Sequence, residues 1–293
     1  MQDIGALKLV SLNLVPREIS ARVLNLAYAN YYLPVHATPE QLGLIESYYD
    51  IDMARSLVAR VGDQWIGIAL LALRGDRAWI SGVGVAPGWR RRGVARALVD
   101  GLLAAACQAG ARHVTLEVIA QNTPASALYT SRGFRITREL LTWERAGDAD
   151  PLPVPRERLA RTPVERLLNY HDIWHQERPA WQHEAASLTR MLRSLVGYRL
   201  DCRGSPMAYC IVSGGNGTVT LMDVGLGATT EHPAPGLTLL QALAHLYEGH
   251  ALAAMNIPAD DALNPVLARL RFLVVLRQQE MVLDLAGGNL CAD

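Results

Sequence analysis

Residues 83–134 read VGVAPGWRRRGVARALVDGLLAAACQAGARHVTLEVIAQNTPASALYTSRGF, and this stretch constrains the fold more than any other. A β-branched run meets a Pro-Gly turn and then an arginine–glycine loop. That loop opens a long helix with Val94, Leu98, Leu102 and Ala105 on one stripe. A second strand, His113 to Val118, leads to a short helix. Asn122 or Thr123 suits its cap, Pro124 its first position and Gly133 its left-handed C-terminal position. Strand, loop and helix N-terminus together make a candidate phosphate site. The first helical turn leaves backbone N–H groups unpaired, and the helix dipole adds partial positive charge. Glycine lets a phosphate approach the backbone, and arginines pair with a further phosphate. The plain alternative is a solvated arginine turn that starts an ordinary helix.

Upstream, residues 7–13 read as a strand, and Pro16 to Tyr28 and Thr38 to Tyr48 as helices separated at Pro34. Residues 56–61, 65–74 and 78–85 read as strands joined through Gly62-Asp63 and Gly75-Asp76. Leu140 to Glu144 is a further strand. The run AGDADPLPVPRERLARTP then predicts a linker at 149–163 between domains 1–148 and 164–293. In the second half, Val164 to Leu195 reads as helical with a break near Pro179. Ala208 to Ser213 and Thr218 to Val224 read as strands, and Leu237 to Tyr247 as a helix. A strand-like run to Ile257, a short helix to Leu270 and a strand to Leu285 complete it. Shifted by 138 residues, SALYTSRGF falls on NPVLARLRF, and SGVGVAPG resembles LMDVGLGA, which predicts an internal repeat.

Charge narrows the partners. Lys and Arg number 28 and Asp and Glu 28, so the formal net charge is zero. A general nucleic-acid or membrane-surface binder needs a basic excess, so neither partner is expected. Cys107, Cys202, Cys210 and Cys291 lie far apart without a C-x-x-C pair. Free thiols fit best, and no disulfide framework or metal site is expected. The segment MQDIGALKLV lacks a signal-peptide pattern, and no apolar run reaches the ~18 residues of a span. A cytoplasmic protein is expected.

Three motifs fall in order: V-x-P-x-x-R-x-x-G-x-A from Val85, L-x-V-x-x-x-N from Leu116, and A-x-x-L-Y-x-x-x-G-F from Ala125. Together they resemble the GNAT superfamily of N-acetyltransferases, over about residues 1–148. With the repeat, the resemblance implies an α/β (α+β) fold of two GNAT-like domains in tandem. Each would be a mixed, mostly antiparallel twisted sheet flanked by helices, with acetyl-CoA between two splayed strands in the first. Arg90, Arg91, Arg92, Gly93, Val94 and Ala95 would hold the pyrophosphate. Val83 and Val85 would align the pantetheine, with the Val85 N–H on the thioester oxygen. Asn122 would contact the pantetheine arm, and Tyr129 would protonate the leaving thiolate. The implied activity is direct acetyl transfer to a primary amine.

The base is open. Glu117 is the first candidate, and Asp50, Asp52 and His36 lie on the acceptor side. Tyr31, Tyr32 and Asp52 are expected to line the acceptor pocket. Each has a structural alternative: Asn122 as a plain cap, Tyr129 as a core aromatic, Glu117 as an arginine partner. The second half reads ATTEHPAPGLTLL where the phosphate loop belongs, with Glu231 and no arginine. Leu267 replaces Tyr129 and Arg271 replaces Gly133. It is read as a degenerate copy lacking the CoA pyrophosphate loop. The competing reading of the whole is a non-catalytic acyl-CoA-binding regulatory or scaffold protein. A homodimer is left open.

Overall fold

A computed structural model describes residues 7–33, 35–175, 177–202, 204–215, 217–227 and 234–285. The chain folds into two units. In the first, β1 (Leu7–Ser11), β2 (Leu57–Val61), β3 (Gln64–Arg74) and β4 (Arg77–Val85) form an antiparallel meander. Each of its last two hairpins closes in two residues. Gly62 and Gly75 take φ of 55° and 60° there, a region that costs glycine nothing. Strand β5 (His113–Ile119) adds in parallel beside β4, but the two pair only from Arg77↔His113 to Ile80↔Leu116. At the same point β4 slips against β3. Leu71 pairs with Ile80 and Leu70 with Gly82, so Ser81 is the extra residue of a β-bulge. A bulge bends its strand. Beyond Ser81, β4 keeps β3 on one edge and has no registered β5 partner on the other.

Four helices cover this sheet. α1 (Arg17–Ala27) and α2 (Pro39–Tyr49) come first, the latter opened by a reciprocal Thr38/Gln41 capping box. α3 (Val94–Gln108) buries Val94, Leu98, Val99, Leu102, Leu103 and Ala106. Each buried leucine contributes roughly 1.5–3 kcal/mol. α4 (Thr123–Thr130) is capped by the Asn122 side chain, which accepts from the Ala125 N–H at 3.4 Å.

The second unit begins within β6 (Arg135–Arg145), which pairs antiparallel with β11 (Ala251–Pro258). Next to β11 come β10 (Thr218–Leu226), β9 (Ser205–Gly215), β8 (Leu195–Cys202) and β7 (Ala160–Thr162). α5 (Val164–Trp174), α6 (Ala185–Arg190), α7 (Pro235–Leu246) and α8 (Leu263–Arg269) flank them. The plan of the first unit recurs. β10 and β11 are parallel and pair only over Thr218–Leu221 and Ala251–Ala254, and β10 carries a bulge between Leu221 and Asp223. Arg271 takes the φ of 62° that answers the 88° of Gly133, and Phe272 is buried as Phe134 is.

The units are not continuous in sequence. The first comprises residues 7–137 and 279–285, the second residues 138–278. Met281 and Leu283 of the last strand, β12 (Leu273–Asp284), and Leu285 just beyond it belong to the first unit's core. The sequence suggests a cut at 149–163, whereas packing assigns 138–145 forward and 279–285 back. Residues 164–195 differ too. They are α5, α6 and two 3-10 turns, ending where β8 starts. Gly197 and the charges Arg199 and Asp201 obscure the strand pattern of β8. Cys210 is a buried free thiol, but Cys107 is disulfide-bonded, against the expectation of free thiols throughout. Cys291 and Glu231 lie outside the described residues. Among the described residues no helix is long and apolar enough to cross a membrane.

Candidate active site

The arginine–glycine loop sits between the diverging end of β4 and the start of α3. Arg91 and Gly93 take φ of 64° and 86°, and Arg92 between them does not share that region. Such alternation turns successive backbone N–H groups into one concavity, a ready anion site. Gly93 is the N-cap of α3, so no side chain competes for the first-turn N–H groups. An added Cβ at Gly93 would meet nothing within 4 Å, so glycine is there for its φ and not for crowding. Residues 91–93 are exposed.

The three arginines divide their work. Arg90 donates from Nε to the Val85 carbonyl at 3.0 Å and from one terminal nitrogen to the Ala27 and Ala29 carbonyls at 3.1 and 3.2 Å. It staples the loop to the end of α1, and its guanidinium is occupied within the protein. Arg92 lies over the Trp89 ring, 5.3 Å from its centroid. Arg90→Ala should therefore lower unfolding free energy by about 1.5–3 kcal/mol, the range for hydrogen bonds to a charged group. Urea unfolding of the two proteins reads this directly.

The edge of β4 is set by the ladder. The Ala86 N–H donates to the Ile66 carbonyl, so residues 84 and 86 point their backbone groups toward β3. By antiparallel alternation, Val83 and Val85 point theirs into the splay. The Val83 group already meets the Tyr28 hydroxyl.

Tyrosines gather at this opening. The rings of Tyr28 and Tyr31 stand 5.0 Å apart and those of Tyr31 and Tyr32 5.3 Å. The Tyr31 hydroxyl is hydrogen-bonded to the Asn122 side chain, and that of Tyr32 donates to the Gln121 carbonyl at 3.2 Å. Tyr129, 7% exposed, packs edge-on against Phe134 at 5.9 Å. Burial, and secondarily the neighbouring Tyr31, raise the Tyr129 pKa well above that of a free phenol. Burial does the same for Tyr28, with Tyr129 and Tyr31 adding to it. These phenols stay protonated at any working pH.

The structure thus brings Tyr31, Tyr32, Asn122, Tyr129, Val83 and Val85 to one opening. Glu117, on β5, accepts the Trp79 indole N–H at 2.7 Å, and Trp79 meets Tyr49 edge-on at 6.0 Å. Asp52 is occupied in a turn: one oxygen takes the Ala54 and Arg55 N–H groups and the other the Arg55 guanidinium at 2.7 Å. Asp50 pairs with Arg74 at 2.7 Å. Tyr28 is absent from the expected site. Its signal was the alternation Gly82-Val83-Gly84. A Cβ at Gly82 would stand 2.7 Å from the Tyr28 hydroxyl oxygen, and one at Gly84 2.9 Å from its ring. Glycine on a strand marks the close approach of another group.

The acetyltransferase (GNAT) family model matches residues 21–134. No protein of curated function matches the sequence. Among solved structures, a GCN5-related N-acetyltransferase from Sphaerobacter thermophilus is similar at 14% identity and a TM-score of 0.71, over 97% of this chain and 96% of that one. A tandem GNAT protein from the clavulanic acid biosynthesis pathway, solved without acetyl-CoA, is similar at 20% identity and 0.68, over 95% and 98%. A GCN5-related glucosamine N-acetyltransferase region of a fungal multi-domain β-N-acetylglucosaminidase gives 14% and 0.74, over 95% of this chain and 38% of that one. At such identities these likenesses speak for the fold. The chain has the fold of two GNAT-like domains in tandem, and its residues 21–134 match the acetyltransferase (GNAT) family model.

Proposed function

We propose that the first unit transfers an acetyl group from acetyl-CoA directly to a primary amine. The observation that carries this reading is the opening beyond Ser81, where the edge of β4 that lacks a strand partner, the loop of Gly93 and the buried Tyr129 converge. The backbone N–H groups of residues 91–95, the first three of which are exposed, suit a pyrophosphate, and Arg91 and Arg92 supply charge beside it. The Val85 N–H suits the thioester oxygen as it gains negative charge during attack. Holding both substrates in one opening replaces a bimolecular encounter.

Proton traffic follows from the site. An alkylamine has a pKa of about 10.4 and must lose a proton before it attacks. Glu117 is the carboxylate of the proposed site on β5, reached directly or through water. As the C–N bond forms and the C–S bond breaks, the leaving sulfur takes a proton from the Tyr129 hydroxyl. Burial and Tyr31 disfavour a lasting tyrosinate, so the proton released by the amine returns to Tyr129 in the same turnover. Asn122, fixed as the cap of α4, also faces Tyr31 and suits the pantetheine arm.

Two measurements test this. Saturating acetyl-CoA is expected to raise Tm, and a panel of amines is expected to include one that releases CoA thiol. Stabilisation with no thiol release from any amine would favour the binding-only reading. Tyr129→Phe is expected to lower kcat about 100-fold with KM for acetyl-CoA little changed, as loss of a general acid does. An unchanged kcat removes Tyr129 from the proton path.

A further inference from the structure

The second unit lacks the arginine–glycine loop in its sequence but, among the described residues, holds a cluster with no counterpart in the first. His171 lies in the last turn of α5, and His175 caps it four residues on. Positions four apart share a helix face, and the two imidazole centroids are 4.8 Å apart. Asp223 comes from β10 directly after its bulge, with its side chain 2% exposed. One ligand atom from each of the three lies within 4.8 Å of the others. At the corresponding places the first unit carries Leu24 in α1, Tyr28 after it and Val83 on β4, so the two-histidine, one-carboxylate set does not recur there.

Hydrogen-bond accounting shows more acceptors than hydrogens here. The Asp223 oxygens face His175 Nε2 at 2.7 Å and the Tyr209 hydroxyl at 2.6 Å. His171 Nδ1 faces Asp172 Oδ1 at 2.8 Å, and its Nε2 faces the His183 carbonyl at 3.0 Å. A neutral imidazole has one N–H, so one of those two contacts lacks a hydrogen. His183 Nδ1 lies 2.6 Å from the Met222 carbonyl and must carry that ring's N–H. Its Nε2 is then a bare acceptor, buried and without a partner. Burying lone pairs without donors is costly. With its N–H on Nδ1, His171 turns an Nε2 lone pair on the His183 carbonyl, and a cation can take that lone pair.

We propose that His171, His175 and Asp223 form a binding site for a divalent transition metal, zinc by the chemistry of the set. Two imidazoles and one carboxylate are ligands zinc accepts at about 2.0–2.2 Å, with a fourth position left open. Three atoms held within 4.8 Å of one another close on such an ion by small side-chain rotations. The outer contacts are those a metal site uses. Asp172 on His171 Nδ1 fixes the tautomer that frees Nε2, and the Tyr209 hydroxyl orients Asp223. Trp174, stacked on Tyr170 and Tyr209 at 4.7 and 5.5 Å, walls the cluster with aromatic surface. The proposal is independent of the acetyl-transfer reading.

The test uses the full chain without an affinity tag, freed of metal by a chelator. Zinc titrated by calorimetry is expected to bind with one-to-one stoichiometry and to raise Tm. Cobalt(II) is expected to give the visible ligand-field bands of a low-symmetry nitrogen–oxygen site, bleached by zinc. His175→Gln keeps the side-chain volume close and is expected to weaken zinc binding at least tenfold. Failure of the wild-type chain to take up stoichiometric zinc, or cobalt spectra of the free aqueous ion, overturns the site. So does a folded His175→Gln protein that binds as tightly as wild type. If that variant does not fold, the wild-type stoichiometry and cobalt spectrum decide alone.

Discussion

A chain ending at residue 148 is expected to be unfolded or aggregated, although it contains every residue of the proposed acetyl-transfer site. It lacks Met281, Leu283 and Leu285, which belong to the first unit's core at 0%, 7% and 2% exposure. Leaving such a gap costs about 2–5 kcal/mol per large side chain, against a typical total stability of about 5–15 kcal/mol. The cut also bares the edge of β5, beside which β12 lies. A bared strand edge is a template for aggregation. Circular dichroism and gel filtration of the truncated chain read the outcome. Adding residues 273–285 back through a flexible linker is expected to restore folding. A truncated chain that is monomeric, cooperative and active would show that this strand is dispensable, and with it the discontinuous first unit.

Gly93→Glu is expected to abolish the Tm increase that acetyl-CoA gives, and to lower kcat/KM at least 100-fold. Two effects add. A non-glycine residue at φ of 86° is strained by about 1–3 kcal/mol. A carboxylate is also placed where a pyrophosphate is to sit, among N–H groups that suit one anion. Gly93→Ala separates them. It carries the strain without the charge, so it should lose stability while keeping most of its response to acetyl-CoA. If Gly93→Glu responds to acetyl-CoA as wild type does, the donor is not held at this loop.

Much of the first unit was legible because local chemistry dictates it. Gly62 and Gly75 mark hairpins, Thr38 with Gln41 marks a helix start, and Val94, Leu98 and Leu102 mark a buried stripe. The arginine loop was legible as a turn before a helix, but the roles within it were not. Arg90 looks in sequence like its two neighbours, and only the folded chain brings the Ala27 and Ala29 carbonyls to its guanidinium. Asp52 shows the same limit from the other side: an acid near tyrosines in sequence is consumed by its own turn. The spacing of His171 and His175 was visible, but a metal search that starts from cysteines passes over it. Asp223, 48 residues away, joins His175 only through the bulge of β10. Segment exchange left no local trace at all, since β6 and β12 each read as ordinary strands wherever they pack.

That exchange sets the order of events at the ribosome. Residues 7–137 emerge before 138–278, carrying the loop, the tyrosines and α3, yet the strand that finishes their core is made only after that whole stretch. The nascent first unit must wait with an open sheet edge while the whole of 138–278 is synthesised. Contacts of such long sequence separation are slow to close. An exposed intermediate of this kind is what chaperones hold. The second unit meets no such delay: its early strand, β6, is already out when β11 appears to pair with it. The half that is translated later can therefore mature first.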